Sequence, residues 1–555
     1  MNFQHIFIGA AALSLAACAT PSGSDVSVEN ETATAISRIA AAETSADRIE
    51  QDILFLADDL RQGREAGTQG YEDAAKYVAA RFENLGLTAA GDDGWFQSVT
   101  LRSATRELET AKMTLTDQSG QQTDFVHLDD YLIGLSMAEA SFDVSAPAVF
   151  VGYGVSAPEI GHDDFDGVDV RGKIVVAFSG TPGGLDSEKR AFYRSNDYKM
   201  RTAAENGAVG FVTLLSASQL ERFSWDRLTA NPQRARTTWV HPDGIGEISA
   251  REIRGTATLS PAGAEKLFAG TQYSYADLQK IESADDTPLP SIDLNKKITL
   301  QGSATFSEET SPNVAGMIKG NDPVLANEVL VLTAHLDHVG VNQPRNGGND
   351  FIHNGAMDNA MGVSAMLEAA RAFKSGVPPK RTVVFLAVTA EEKGLIGSDY
   401  FAHYPTVAKE QIVANVNLDM PLALFPFTDV IAFGAERSSL GAIVQEAAAS
   451  MNVGVIPDPI PEQGIFTRSD HYRFVEQGIP SVFLFIGFGN GGEEVFSNFM
   501  REHYHQPSDD LQLPINYEAA ARFADLNYAV ARQIADAEKA PSWIEGDFFG
   551  ELFGK

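Results

Sequence analysis

Apolar positions fall into helical rhythm from about Thr44. Ile49, Ile53, Leu56 and Leu60 recur at helical spacing until the turn Gln62-Gly63-Arg64. A second helix is predicted over 70–85, with Tyr71, Ala75, Val78 and Phe82 on one face. The rhythm then changes to short β-rich runs at 146–155, 172–180 and 208–215, bounded by Gly, Pro and Asp, with a helical AAENGA segment before the third. Beyond about Pro312, near-continuous apolar runs at 329–334, 382–389, 412–418 and 481–486 alternate with helical stretches such as 359–374 and 438–450. Strands without polar alternation are buried on both faces, so the pattern predicts an α/β fold: a mostly parallel mixed sheet sandwiched by helices. No internal repeat is visible.

Composition excludes more than it assigns. Hydrophobic residues make up 44% and charged residues 21%, which rules out a disordered or fibrous chain. Acidic residues number 75 against 42 basic, a formal charge of −33 that repels phosphate backbones, so no nucleic-acid partner is expected. The chain has one cysteine. Cys18 ends an apolar stretch from Ile6 to Ala17, too short to span a bilayer and read as a signal-peptide core. Leu15-Ala16-Ala17-Cys18 resembles the bacterial lipoprotein lipobox, although the preceding residues carry no Lys or Arg. The resemblance implies removal of residues 1–17 and a lipidated Cys18 that anchors the protein to the cell envelope, facing the periplasm or exterior. Residues 18–43, rich in Ser, Thr, Ala and acidic side chains, read as a solvated tether. Once Cys18 is lipidated no thiol remains, which excludes disulfides, thiolate catalysis and Cys-ligated metals.

In parallel sheets, ligands sit beyond the carboxyl ends of the strands. The chemistry-bearing residues cluster there. His335-Leu336-Asp337 follows the first run of the second half, Glu391-Glu392 the second and Asp419 the third. Asp358 opens the helix beginning NAMGVSAML, and His505 sits in HYHQPSDD beyond the last strand. Two histidines with three or more carboxylates suit a pair of zinc ions, because imidazole and carboxylate oxygen are zinc donors and thiolate-free sites are typical of catalytic zinc. One carboxylate must bridge such a pair. Without cations, that many converging carboxylates repel one another.

TAHLDHVG, NGAMDNAMG, TAEEKGLIGS, NLDM, SDHYRF and YHQPSDD occur in the order seen in the co-catalytic zinc aminopeptidases, a family that also holds glutamate carboxypeptidase and glutaminyl cyclase relatives. The resemblance covers roughly residues 45–535. It implies that His335 and Asp419 hold one zinc, Glu392 and His505 the other, and Asp358 bridges both. Glu391 is implied as the general base, Asp337 as the group that orients His335, and the Asp358–Asn359 peptide as cis. VGYGVSAPEIGHDDFDGVDVRGKIVV and AAENGAVGFV resemble a protease-associated domain. Within it, His162-Asp163-Asp164 reads as a hydrogen-bonded surface turn rather than a cation site. Ser469-Asp470-His471 is not a hydrolase triad, because adjacent residues cannot adopt triad geometry; the resemblance places it beside the zinc pair. Met357, Met361, Pro421 and Arg473 depart from the family pattern and reshape the pocket. The segment 487–504 reads as a Gly-rich mobile loop whose Phe residues wall the substrate site.

The implied organisation is a tether to residue 43, the first part of a peptidase domain over 44–139, a protease-associated insertion over 140–290, the catalytic domain over 291–540 and a tail over 541–555. The implied activity is a two-zinc aminopeptidase acting on peptides. A carboxypeptidase of the same fold and a non-catalytic receptor-like protein are the alternatives; a glutaminyl-cyclase-like acyl transferase fits less well, because the full two-metal ligand set is present.

Overall fold

The computed structural model describes residues 23–284, 288–345 and 347–554. The signal segment and Cys18 lie outside the described residues. Among them, no helix is long and apolar enough to cross a membrane.

Residues 23–41, expected as tether, instead form helix α1 (Gly23–Ala41). Thr32 and Ile39 are buried and Ala35 and Ile36 half-buried, a helical stripe that the small and polar composition hides. The ion pair Glu31–Arg61, 2.7 Å long, ties α1 to the next segment. Helix α2 (Ser45–Leu56) starts at a capping box, Thr44 and Asp47 accepting each other's backbone N–H at 3.1 Å. Ile49, Ile53 and Leu56 are buried, but Leu60 is 61% exposed because a 3-10 turn over Asp59–Arg64 rotates it away from the core. Helix α3 (Gln69–Asn84) buries Tyr71, Ala75, Val78 and Phe82.

Two sheets follow. The principal strands, leaving aside others such as Lys112–Asp117 and Arg236–Trp239, are β1 (Phe96–Arg106), β2 (Ser141–Val151), β3 (Ile174–Phe178), β4 (Gly210–Leu214), β5 (Thr256–Leu259), β6 (Ser291–Ile318), β7 (Val329–His335), β8 (Thr382–Val388), β9 (Ile412–Asn417), β10 (Asp429–Phe433) and β11 (Ser481–Ile486). The larger sheet runs β1–β6–β8–β7–β9–β11–β10. Its centre, β8–β7–β9–β11, is parallel; the pairs β1–β6, β6–β8 and β11–β10 are antiparallel. Every residue of β7 and β8 is buried, as unalternating apolar runs require. Helices α4 (Met361–Ser375), α5 (Ile396–His403) and α6 (Leu440–Ser450) connect these strands, α7 (Gly492–Glu502) follows β11, and α8 (Tyr517–Asp536) packs on α4.

The smaller sheet runs β6–β2–β3–β4–β5, with β2 antiparallel to β6 and β2, β3, β4 and β5 parallel. Strand β6 belongs to both. Its first half pairs with β2 up to Ser303, and its second half pairs with β1 and β8. The segment Tyr131–Ile133 also joins the smaller sheet, beside β5. The expected boundaries at 140 and 290 therefore fall inside a sheet and at the head of a continuous strand. His162-Asp163-Asp164, expected as a surface turn, instead begins as a short strand: His162-Asp163 pairs antiparallel with Ser156-Ala157, and the buried Asp164 accepts the N–H groups of Tyr153 and Val155 through Oδ2 at 2.9 and 3.0 Å.

Two further segments differ from expectation. Residues 492–502, read as a loop, form α7, which buries Phe499. The expected tail contains helix α9 (Phe548–Phe553), whose buried Phe549 packs against Phe192 of the smaller unit and Phe466 and Tyr472 of the larger. Short aromatic segments carry no periodicity long enough to read.

Candidate metal centre

His335 is the last residue of β7, and the main chain beyond it is held by Arg64. The guanidinium of Arg64, wholly buried, donates to the carbonyls of Leu336 (2.9 Å), Leu56 (2.6 Å), Asn354 (2.6 Å) and Gly355 (2.9 Å). In return, His338 N–H donates to the Arg64 carbonyl. Burial lowers the Arg64 guanidinium to about 10, against the pull of Asp509, Asp337, Asp358 and Glu392. Gln62-Gly63-Arg64 is thus more than the end of a helix. It brings a fixed cation beneath an acidic cluster.

Asp358 lies in a single turn ahead of α4, and its peptide bond to Asn359 is cis. Asn359 ties three segments together: its side chain donates to Leu418 O at 3.0 Å and to His335 O at 3.3 Å, and accepts from Gly362 N and Met420 N, both at 3.0 Å. Asp509, two residues beyond Pro507, accepts the N–H groups of Met357 (2.8 Å) and Asp358 (3.1 Å). Met357 and Met361 are fully buried, so this side of the turn is dry.

The five residues named as metal donors converge. His335 Nε2 lies 3.1 Å from Asp419 Oδ1 and 3.2 Å from Asp358 Oδ1. On the other side, His505 Nε2 lies 3.0 Å from Glu392 Oε2 and 3.3 Å from Asp358 Oδ2. Asp358 thus presents one oxygen to each group, the disposition of a bridging carboxylate. Ser469 donates to Asp419 Oδ2 at 2.5 Å and accepts from Asn417 Nδ2 at 2.7 Å, which fixes Asp419. His471 makes no triad: its ring is packed between Phe466 and Phe483, and burial pushes it down to about 3.

The part expected of Asp337 needs correcting. His335 Nδ1 is anchored at 3.1 Å by the main-chain carbonyl of Asp337, not by its carboxylate. The carboxylate accepts the N–H groups of Glu391 (3.0 Å) and Glu392 (3.3 Å) instead. The short His335-Leu336-Asp337 turn aims the Asp337 side chain across to the β8 exit, so it shapes the neighbouring loop. A residue not singled out beforehand also enters: His338, whose Nδ1 lies 2.8 Å from Glu392 Oε1. The TAHLDHVG string contained it, but local pattern does not say which way its ring points.

The donor set fits divalent cations. Two groups, one of His335, Asp358 and Asp419 and one of His338, Asp358 and Glu392, each bring ligand atoms within 4.8 Å of one another. Without cations, protons must take their place. Burial opposes a charged His335, yet Asp419, Glu391 and Asp358 hold it well above the ordinary imidazole value. Burial likewise opposes a charged His505, but Asp358 and Glu392 raise it to about 10. Burial pushes Glu391 well above the ordinary carboxylate range, and Glu392, Asp419 and Asp470 add to the push against His335.

Residues 313–531 match the family described as Peptidase family M28. This segment is similar to that family. It carries all five converging donors. Aminopeptidase YwaD of Bacillus subtilis (strain 168) is 29% identical over 252 residues, 45% of this chain and 50% of the relative. A probable leucine aminopeptidase 2 of Aspergillus oryzae is 30% identical over 240 residues, covering 40% and 45% respectively. The chain spans about half the length of these curated relatives. Among solved structures, an aminopeptidase from Aneurinibacillus sp. strain AM-1 aligns over 92% of this chain and 97% of its own, with 18% identity and a TM-score of 0.48.

Proposed function

We propose that the chain is a zinc-dependent exopeptidase that hydrolyses the N-terminal peptide bond of peptides. His335 and Asp419 would hold one zinc, Glu392 and His505 the second, and Asp358 would bridge the pair. The observation that carries this reading is the split of the Asp358 carboxylate between two donor groups, on residues that lie within the M28 segment. When bound, such a pair lowers the pKa of a coordinated water and stabilises oxyanion charge.

Glu391 would take the proton of the attacking water and return it to the leaving amine. A carboxylate suits both transfers, as base and then as conjugate acid. Asp337 would keep Glu391 in place through its main chain, and Ser469 would keep Asp419 in place. A carboxypeptidase needs a free arginine to clamp the substrate α-carboxylate. The buried arginine here, Arg64, has its guanidinium engaged by four main-chain carbonyls.

The deciding experiment compares peptides blocked at the amino end with peptides blocked at the carboxyl end, using zinc-loaded protein. Cleavage confined to free amino ends supports the proposal. Cleavage confined to free carboxyl ends, or no turnover with two zinc ions bound, overturns it. The lipid at Cys18 belongs to the same proposal, and the intact mass of envelope-extracted protein tests it.

A further inference from the structure

His338 is wholly buried, at the point where the loop after β7 meets the Glu391–Glu392 turn. Its main chain is held by Arg64, so its ring has little freedom to turn away. Nδ1 approaches Glu392 Oε1 to 2.8 Å and Asp358 Oδ2 to 3.9 Å, and the ring stands nearly perpendicular to that of His505, centroids 5.6 Å apart. Among the described residues, none makes a well-aligned hydrogen bond to either ring nitrogen of His338 or to Glu392 Oε1, although Nδ1 and Oε1 lie 2.8 Å apart. Buried polar atoms are nearly always partnered, and two that approach closely without sharing a hydrogen are disposed as two donors to one cation. Glu392 therefore offers Oε1 toward His338 and Oε2 toward His505.

We propose that His338 is a fourth protein donor to the ion held by Asp358, Glu392 and His505. The proposal rests on the two-zinc reading and makes the pair unequal. The position at His335 has three protein donors, His335, Asp358 and Asp419, the count of a zinc site that keeps a place open. The position at His338 has four, the count of a closed site. The closed position fills first and holds its ion more tightly, and the open one lies on the side of Asp419.

The test titrates zinc into metal-stripped full-length protein against a chromophoric chelator. Wild type should bind two ions in two steps of different affinity. H338A should weaken the tighter step by more than the roughly 10–100-fold that loss of a merely supporting group produces. H338N is the control, because its amide N–H takes the place of Nδ1–H and preserves any hydrogen bond to Glu392. As a poor zinc donor it should behave like H338A, and in cobalt-substituted protein both should lose the same part of the visible absorption. Wild-type affinity in H338N would show that His338 only hydrogen-bonds Glu392, and would overturn the proposal. Fewer than two ions in the wild type would overturn the two-zinc reading itself, and shows in a different arm.

Discussion

Asp337 Oδ1 accepts the main-chain N–H of Glu391 at 3.0 Å, so the residue whose carbonyl anchors His335 also sets the position of the proposed base. One loop thus fixes both sides of the centre. D337N can accept through only one oxygen and turns a donor toward the other N–H. Displacing a catalytic group by about 1 Å costs on the order of 100-fold in rate. D337N is therefore expected to lose roughly 10–100-fold in kcat while keeping both zinc ions, checked by steady-state kinetics beside metal analysis. Unchanged kcat would detach Asp337 from the position of Glu391.

Glu391→Gln keeps the shape of the side chain and removes its basicity. General-base catalysis contributes about 10²–10⁴-fold, so kcat should fall by that factor with KM and zinc content little changed. Turnover of amino-acid amides by metal-loaded protein measures it. A wild-type rate would assign the proton to another group.

Zinc removal should destabilise as well as inactivate. Carboxylates that face one another across the centre lose their counter-charge, and a ligand that binds only the folded state stabilises it by about 2.7 kcal/mol at a hundredfold excess over its Kd. Thermal melts should therefore shift downward with chelator and recover on adding zinc. D358A, which lacks the shared carboxylate, should show little zinc-dependent shift.

Lys199 gives a pH dependence far from the centre. It is wholly buried and donates to Phe178 O (2.7 Å) and Gly180 O (2.5 Å), and burial lowers it from 10.5 to about 7. Between these values the unfolded chain binds the proton and the folded chain does not, so stability rises as pH climbs from about 7 toward 10.5. Denaturant melts should show wild-type stability gaining roughly 3–4 kcal/mol on K199M between pH 7 and 10, at about 1.4 kcal/mol per unit. Parallel curves would mean that Lys199 stays charged.

The C-terminal helix is part of the fold. Phe549 is fully buried among Phe192, Phe466 and Tyr472, and F549A should cost about 3–5 kcal/mol. A change below 1 kcal/mol in denaturant midpoints would make the segment a dispensable tail.

Much of this was legible beforehand for a local reason. Strand burial shows as unbroken apolar runs, and α/β sheets place their chemistry at strand exits, so β7, β8 and β9 and the donors that follow them could be read in order. Segments with weak or interrupted period were not legible. Helix α1 hides its stripe in Thr and Ala, α7 hides behind glycines, and β6 joins two sheets without any break in the chain to mark the junction.

Residue type and spacing along the chain determined by themselves that two histidines and several carboxylates sit at the carboxyl rim of a buried parallel sheet. Tertiary structure alone decided which atoms face which. Asp337 serves through its carbonyl on one neighbour and its carboxylate on another, Arg64 arrives from a turn far away in sequence, and His338 turns toward Glu392. Periodicity reports whether a position is buried. Direction is set when segments hundreds of residues apart close around one another, and no local pattern encodes that closure.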